Sequence, residues 1–221
     1  MSDINNLVSE TCLSRYMRTK RREGKLFTFC VTMRNHGGYD ESTPGDFVST
    51  VKLNYQKSYP LAETDQAFEK LVDYFKDRDE KAMIVMFGNQ LPAIETEFYE
   101  DLFGKELSDL DMQELQKRYM TPYIIWTNYA TERKVEDMSS NYLGSYILEQ
   151  AGLKMSAYQE SLLALKGTVP IIGQGAICDS NGNWYSLDGD LPTECSEALN
   201  EYEILQYNNI FDKTNLVSDI E

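Results

Sequence analysis

Two polar clusters interrupt apolar, strand-like runs, and each holds side chains able to handle a ligand. Ala82-Met83-Ile84-Val85-Met86-Phe87-Gly88 reads as a buried strand ending in a glycine turn, and it delivers Asn89 and Gln90. Leu26 to Met33 is a second apolar run, with Thr and Cys interleaved, and it delivers Arg34-Asn35-His36-Gly37-Gly38-Tyr39. Ligands of open α/β sheets bind outside the carboxyl ends of strands, so these two words mark the expected cleft. Asn89 and Gln90 supply two neutral carboxamides there. Hard dications prefer charged oxygen ligands, and a carboxamide oxygen is a weak one. The amides keep shape and hydrogen bonding, so the pair suits folding or weak binding better than catalysis.

Other catalytic arrangements find little support. His36 is the sole histidine, so any Ser-His-Asp or Cys-His device must use it. Taken alone it reads as a surface or turn residue, although Gly37-Gly38 beside it lets the backbone approach a ligand closely. Cys30 lies six residues earlier with no reason to meet it. Cys12, Cys30, Cys178 and Cys195 form no CxxC pair and are expected as buried or free thiols. Glu95, Glu97, Glu100 and Asp101 lie in a helix-like acidic stretch, the pattern of a solvated face. Asp179, Asn181 and Asn183 faintly resemble a calcium loop. The glycine position and the missing distal Glu do not fit, so an ordinary turn is expected there.

The 221 residues suffice for one sizeable domain with a core, and 42% hydrophobic residues make it globular. Acidic residues outnumber basic ones 36 to 21, for a formal charge of -15. Such a surface repels nucleic acid and anionic lipid, which excludes both as expected partners. An anionic substrate would need a metal or an arginine cluster. The run Arg15, Arg18, Lys20, Arg21, Arg22 is the only cationic concentration, and it reads as the solvated end of a helix. The start lacks the charged and apolar regions of a signal peptide, and no apolar run approaches the roughly 20 residues of a membrane span. As written, the chain is expected to stay in the cytoplasm.

The elements that would position these clusters alternate along the chain. Residues 5–22 read as a helix, Leu26–Met33 as a central strand and 40–55 as a loop. Leu61, Ala62, Asp65, Phe68, Leu71, Val72 and Phe75 recur near the helical period, with Glu63, Gln66, Glu69, Lys70 and Asp73 mostly opposite, which predicts a helix over 61–77. The run 82–87 predicts a strand covered on both faces. A short helix over 109–119 leads to Thr121-Pro122 and a strand at Tyr123-Ile124-Ile125-Trp126. Ser139 or Ser140 would cap a helix to Ala151, with Gly152 as its stop. Ser156 with Gln159 predicts a capping box for a helix ending at Gly167. Val169–Ile172 reads as a short strand, and Asp179-Ser180-Asn181-Gly182 as the turn of a hairpin whose second strand is Trp184-Tyr185-Ser186. A helix over 194–208 and a loose tail at 212–221 close a single layered α/β domain.

The words Val31-Thr32-Met33-Arg34-Asn35-His36-Gly37-Gly38-Tyr39, Ile84-Val85-Met86-Phe87-Gly88 with Pro92, Tyr119-x-Thr121-Pro122-Tyr123-Ile124-Ile125-Trp126-x-Asn128-Tyr129 and Ser140-Asn141-Tyr142-Leu143 resemble the lipoteichoic acid synthase branch of the sulfatase/alkaline-phosphatase superfamily. The likeness runs in order from about residue 26 to about residue 211. It implies a layered α/β/α sandwich of alkaline-phosphatase/sulfatase type, incomplete at its N-terminus, with a small C-terminal β-hairpin. Members are phosphoglycerol transferases of Gram-positive cell envelopes. They use one divalent cation, usually Mn²⁺, held by an acidic residue and a nucleophilic Thr from an N-terminal half and by an Asp-His pair.

That pair falls on Asn89 and Gln90, and this chain is expected to begin after the other two ligands. No catalytic residue, metal or cofactor is therefore expected, and the activity implied by the resemblance is expected to be absent. Arg34, Asn35 and His36 match the substrate-cleft word, with Arg34 standing where many relatives have Gln; Trp126 completes the expected substrate-binding set. The alternatives are a module that binds glycerol phosphate or an anionic, phosphorylated glycan, and one half of a split enzyme that pairs with a missing N-terminal half or with itself. Relatives hold this domain outside the membrane, tethered by N-terminal spans.

Overall fold

The computed structural model describes Tyr16 and residues 25–31, 61–90 and 96–211. The chain divides into two compact units, one formed by residues 1–102 and 122–130 and the other by 103–121 and 131–221.

In the first unit, α1 spans Leu61–Phe75. Its inward face carries Ala67, Phe68, Leu71, Val72 and Phe75, while Asp65, Gln66, Glu69, Lys70 and Asp73 are exposed. Asp65 thus falls on the solvent face and Ala67 takes the buried position, as its lack of a charge to desolvate requires. Strand β1 (Met83–Phe87) pairs antiparallel with β2 (Tyr123–Thr127), from Met83 opposite Thr127 to Phe87 opposite Tyr123. Met83–Met86 are half-buried and Phe87 is exposed, so β1 is less deeply buried than its apolar run suggested. Helix α2 spans Thr96–Phe103 and exposes Glu97 and Asp101, the solvated acidic face expected there. Tyr16, a helical residue, packs edge-on against Tyr74 and Phe75 with ring centroids 6.1 and 5.1 Å apart, and its hydroxyl donates to Glu80 Oε1. The rest of the helix expected over 5–22, and the 40–55 loop, lie outside the described residues.

The expected strand at Leu26–Met33 is not found over its described part. Residues 25–31 carry no regular secondary structure, and Phe27 is 85% exposed. The β-forming composition is present, but a strand exists only through a ladder, and composition cannot supply the neighbouring strand.

In the second unit, a turn of 3₁₀ helix at Leu107–Asp109 precedes α3 (Met112–Gln116) and a second such turn at Lys117–Tyr119. A capping box opens α3: Asp111 Oδ1 accepts from Glu114 N at 2.8 Å, and Glu114 Oε2 accepts from Asp111 N at 3.0 Å. Helices α4 (Ser140–Gln150) and α5 (Ala157–Thr168) are joined through Gly152, whose φ of 62° is the left-handed stop expected there. Ser156 and Gln159 form the expected capping box. Strands β3 (Ile171–Ile172), β4 (Ala176–Cys178) and β5 (Trp184–Ser186) make a three-stranded antiparallel sheet in sequence order. Helix α6 (Thr193–Phe211) follows. The core gathers Tyr142, Leu162, Leu165, Val169, Ile177 and Cys195. Residues 212–221, expected as a loose tail, lie outside the described residues. The chain is thus of the expected mixed α/β kind, with small antiparallel sheets.

Candidate functional site

The candidate site begins where the β1–β2 ladder ends. Gly88 N donates to Pro122 O at 3.1 Å, one step beyond the Phe87–Tyr123 pair. That bond holds the backbone to the point where Asn89 and Gln90 begin, and both residues are exposed. The strand therefore ends just before its two carboxamides, as the sequence predicts, and it presents them to solvent. They offer hydrogen-bond donors and acceptors but no charge at any ordinary pH.

Trp126 is not brought to them. It pairs opposite Ile84, half-buried, in a strand antiparallel to β1. Ile84 precedes the end of β1 at Phe87 by three positions, so Trp126 pairs roughly 10 Å back along the strand from its end. Arg34, Asn35 and His36 lie outside the described residues.

The resemblance implies a divalent cation at this strand end, and the donor set does not suit one. Asn89 and Gln90 are neutral, and among the described residues no group of three or more His, Cys, Asp or Glu side chains is placed to hold a metal. Two exposed carboxamides do not fit a hard dication, because nothing in the pair offsets its charge or repays its dehydration.

Sequence reading missed a polar side chain with four hydrogen bonds among the described residues of this unit. Asn128, just after β2, donates through Nδ2 to Phe75 O (3.0 Å), Arg78 O (3.1 Å) and Glu80 O (2.8 Å), and its Oδ1 accepts from Ala82 N (2.8 Å). It fastens the α1–β1 connection and so sets where β1 starts and, through the strand, where Asn89 ends up. The Asn-Tyr word after the strand was its signal, but only as part of a motif.

In the second unit the polar clusters are structural. Asp179 is buried at the β4–β5 turn, where Oδ1 accepts from Asn181 N and Asn183 N (both 2.9 Å) and Oδ2 accepts from Asn183 Nδ2 (3.1 Å) and Tyr185 Oη (3.2 Å). Hydrogen bonds from Asn183, its backbone N–H first, hold the Asp179 carboxyl below the usual carboxylate range against the opposing cost of burial. Its oxygens face N–H and O–H donors, so this is the expected turn and not a cation loop. Gln116 is likewise buried; its Nε2 donates to Gln174 O (3.1 Å) and its Oε1 accepts from Gln174 N (3.2 Å). Lys166 pairs with Glu136 and lies over the Tyr146 ring, 5.2 Å from its centroid. On α4, Ser145 Oγ and Asn141 Oδ1 are buried without a hydrogen-bond partner among the described residues.

Residues 9–153 match the sulfatase family, whose members are generally metal-dependent. A Rhizobium meliloti (strain 1021) protein provisionally assigned to cyclic beta-1,2-glucan modification is 24% identical over 206 residues, covering 86% of this chain and 32% of its own length. The solved structure of Streptococcus pyogenes phosphoglycerol transferase GacH in complex with sn-glycerol-1-phosphate aligns with a TM-score of 0.47 and 20% identity, over 69% of this chain and 34% of that one. The chain thus spans about a third of the length of these relatives. Among the described residues, no helix is long and apolar enough to cross a membrane.

Proposed function

The chain belongs to the sulfatase family, and we propose that within it this is a partial, non-catalytic member of the phosphoglycerol-transferase branch. One observation carries the reading: the strand end that should present a charged metal pair presents Asn89 and Gln90, exposed and neutral. Phosphoryl transfer of the family's kind relies on a dication to polarise the phosphate and to activate a Thr nucleophile. The four sequence words that resemble lipoteichoic acid synthases support the branch.

A second reading rests on the Arg34-Asn35-His36-Gly37-Gly38-Tyr39 word, which is retained although the metal pair is not. A cleft built from Arg34, Asn35 and His36 would hold glycerol phosphate or a phosphorylated glycan without cleaving it. Trp126 belongs to that proposal only if the segment carrying His36 reaches the Ile84 end of the ladder. A split transferase, completed by a separate Thr-bearing half or by self-association, would still lack two cation ligands at Asn89 and Gln90. Location follows the reading: a chain that works as its branch does works outside the membrane.

The test is turnover of a chromogenic phosphodiester and of a sulfate ester by the full chain with added Mn²⁺. No hydrolysis above buffer is expected; metal-dependent turnover overturns the non-catalytic reading. Chemical-shift mapping with glycerol phosphate separates the second reading. Saturable shifts support it, and none at millimolar ligand ends it.

A further inference from the structure

Helix α6 changes character along its length. Its first half belongs to the core: Cys195 is buried, and Ala198, Leu199 and Tyr202 pack against the buried cluster that holds Tyr142, Leu162 and Leu165. Its last two turns are as apolar as the first but face solvent. Ile204, Tyr207 and Phe211 recur at the i, i+3, i+7 spacing of one helix face, and they are 54%, 64% and 65% exposed. Ile210, 62% exposed, widens the stripe, and the Tyr207 and Phe211 rings lie 5.0 Å apart. At 3.6 residues per turn, Glu197 and Glu201 fall along one edge of this stripe and Glu203 on its other side, between the directions of Tyr207 and Ile210, all exposed. Four large side chains held outward cost hydration free energy with no return inside the fold. An apolar centre with a charged rim is the anatomy of a protein interface.

Charge selects among occupants. The 19-residue helix contains no Lys or Arg, and its acidic residues are Glu194, Glu197, Glu201 and Glu203. A second α6 would bring the same sign to the same place. Residues 212–221 carry Asp212, Asp219 and Glu221 against Lys213, so they do not complement the rim either. An anionic bilayer is repelled in the same way. We propose that the C-terminal half of α6 docks a basic amphipathic helix of a partner protein, its apolar side on Ile204, Tyr207 and Phe211 and its Lys or Arg residues on Glu201 and Glu203. This is the helix-on-face mode of recognition, with charges at the rim fixing partner choice and register.

The test uses the full chain and a labelled synthetic peptide with Leu at the a, d and e positions of a helical heptad and Lys elsewhere, read by fluorescence anisotropy. A scrambled peptide of the same composition is the control. Saturable binding of the patterned peptide is expected. It should weaken about tenfold in Ile204→Ser/Phe211→Ser and by a similar factor in Glu201→Lys/Glu203→Lys. These positions are exposed, so circular dichroism of both variants should match the parent. Equal binding of the scrambled peptide, or unchanged affinity in both variants, overturns the proposal. So does dimerisation of the parent chain that Phe211→Ser abolishes, or adsorption to phosphatidylserine vesicles lost in the same variant, since each assigns the face to another occupant.

Discussion

Asn128 and Ala82 grip each other twice. Asn128 Oδ1 accepts the Ala82 N–H at 2.8 Å, and Ala82 O accepts the Asn128 N–H at 3.2 Å. With Nδ2 facing three further carbonyls, one carboxamide organises the connection from α1 to the strand that carries Asn89 and Gln90.

Asn128→Ala should therefore cost about 2 to 3 kcal/mol, because several half-buried backbone groups lose their partner together. Asn128→Asp should cost more at neutral pH, since a carboxylate would face three carbonyl oxygens and could donate to none. Urea unfolding midpoints check the order; an Asp variant as stable as the parent would contradict this account of the clamp.

Asp179 predicts an acid limb in stability. Its folded pKa is lowered, so its contribution is complete above the unfolded value, about 3.9, and is lost as pH falls through the lower folded value. Unfolding midpoints of the parent should fall steeply below about pH 4. Asp179→Asn should start less stable at neutral pH and lose less on acidification. Parallel curves for the two proteins would show that this carboxylate is not the group involved.

The buried hydroxyl of Ser145 lies in α4 without a hydrogen-bond partner among the described residues. Ser145→Ala removes the cost of burying it and improves helix propensity, so stability should rise by about 0.5 to 1 kcal/mol. A loss of similar size would mean that the hydroxyl has a partner in solution.

The thiols should separate by location. Burial pushes the Cys178 and Cys195 thiols up, and the neighbouring Asp179 charge adds to both. Cys30 is exposed. Labelling with iodoacetamide, read by peptide mass spectrometry, should modify Cys30 in the folded chain and Cys178 and Cys195 only after unfolding. Simultaneous labelling of all three would place the β4–α6 region outside any packed core.

Local signals in the sequence were readable where their partners are close. Ser156 finds Gln159 three residues on, and Gly152 stops α4 by its own backbone freedom. Phe68, Leu71 and Phe75 announced α1 through one period. What failed needed a partner far away. Asn128 bonds carbonyls 48 to 53 positions earlier, and no spacing rule reaches that far. Leu26–Val31 has the composition of a strand, yet pairing depends on a neighbour that composition does not specify. At the site, Asn89 and Gln90 were placed correctly at a strand end because a glycine turn after an apolar run is local. Trp126 was grouped by motif with Arg34, Asn35 and His36, which lie outside the described residues; the register sets it opposite Ile84.

The central claim is that the strand end cannot hold a dication, and calorimetric titration of MnCl₂ into the full chain tests it most directly. Only heats of dilution are expected up to millimolar metal. One-to-one binding at micromolar metal that Asn89→Ala or Gln90→Ala abolishes would contradict it.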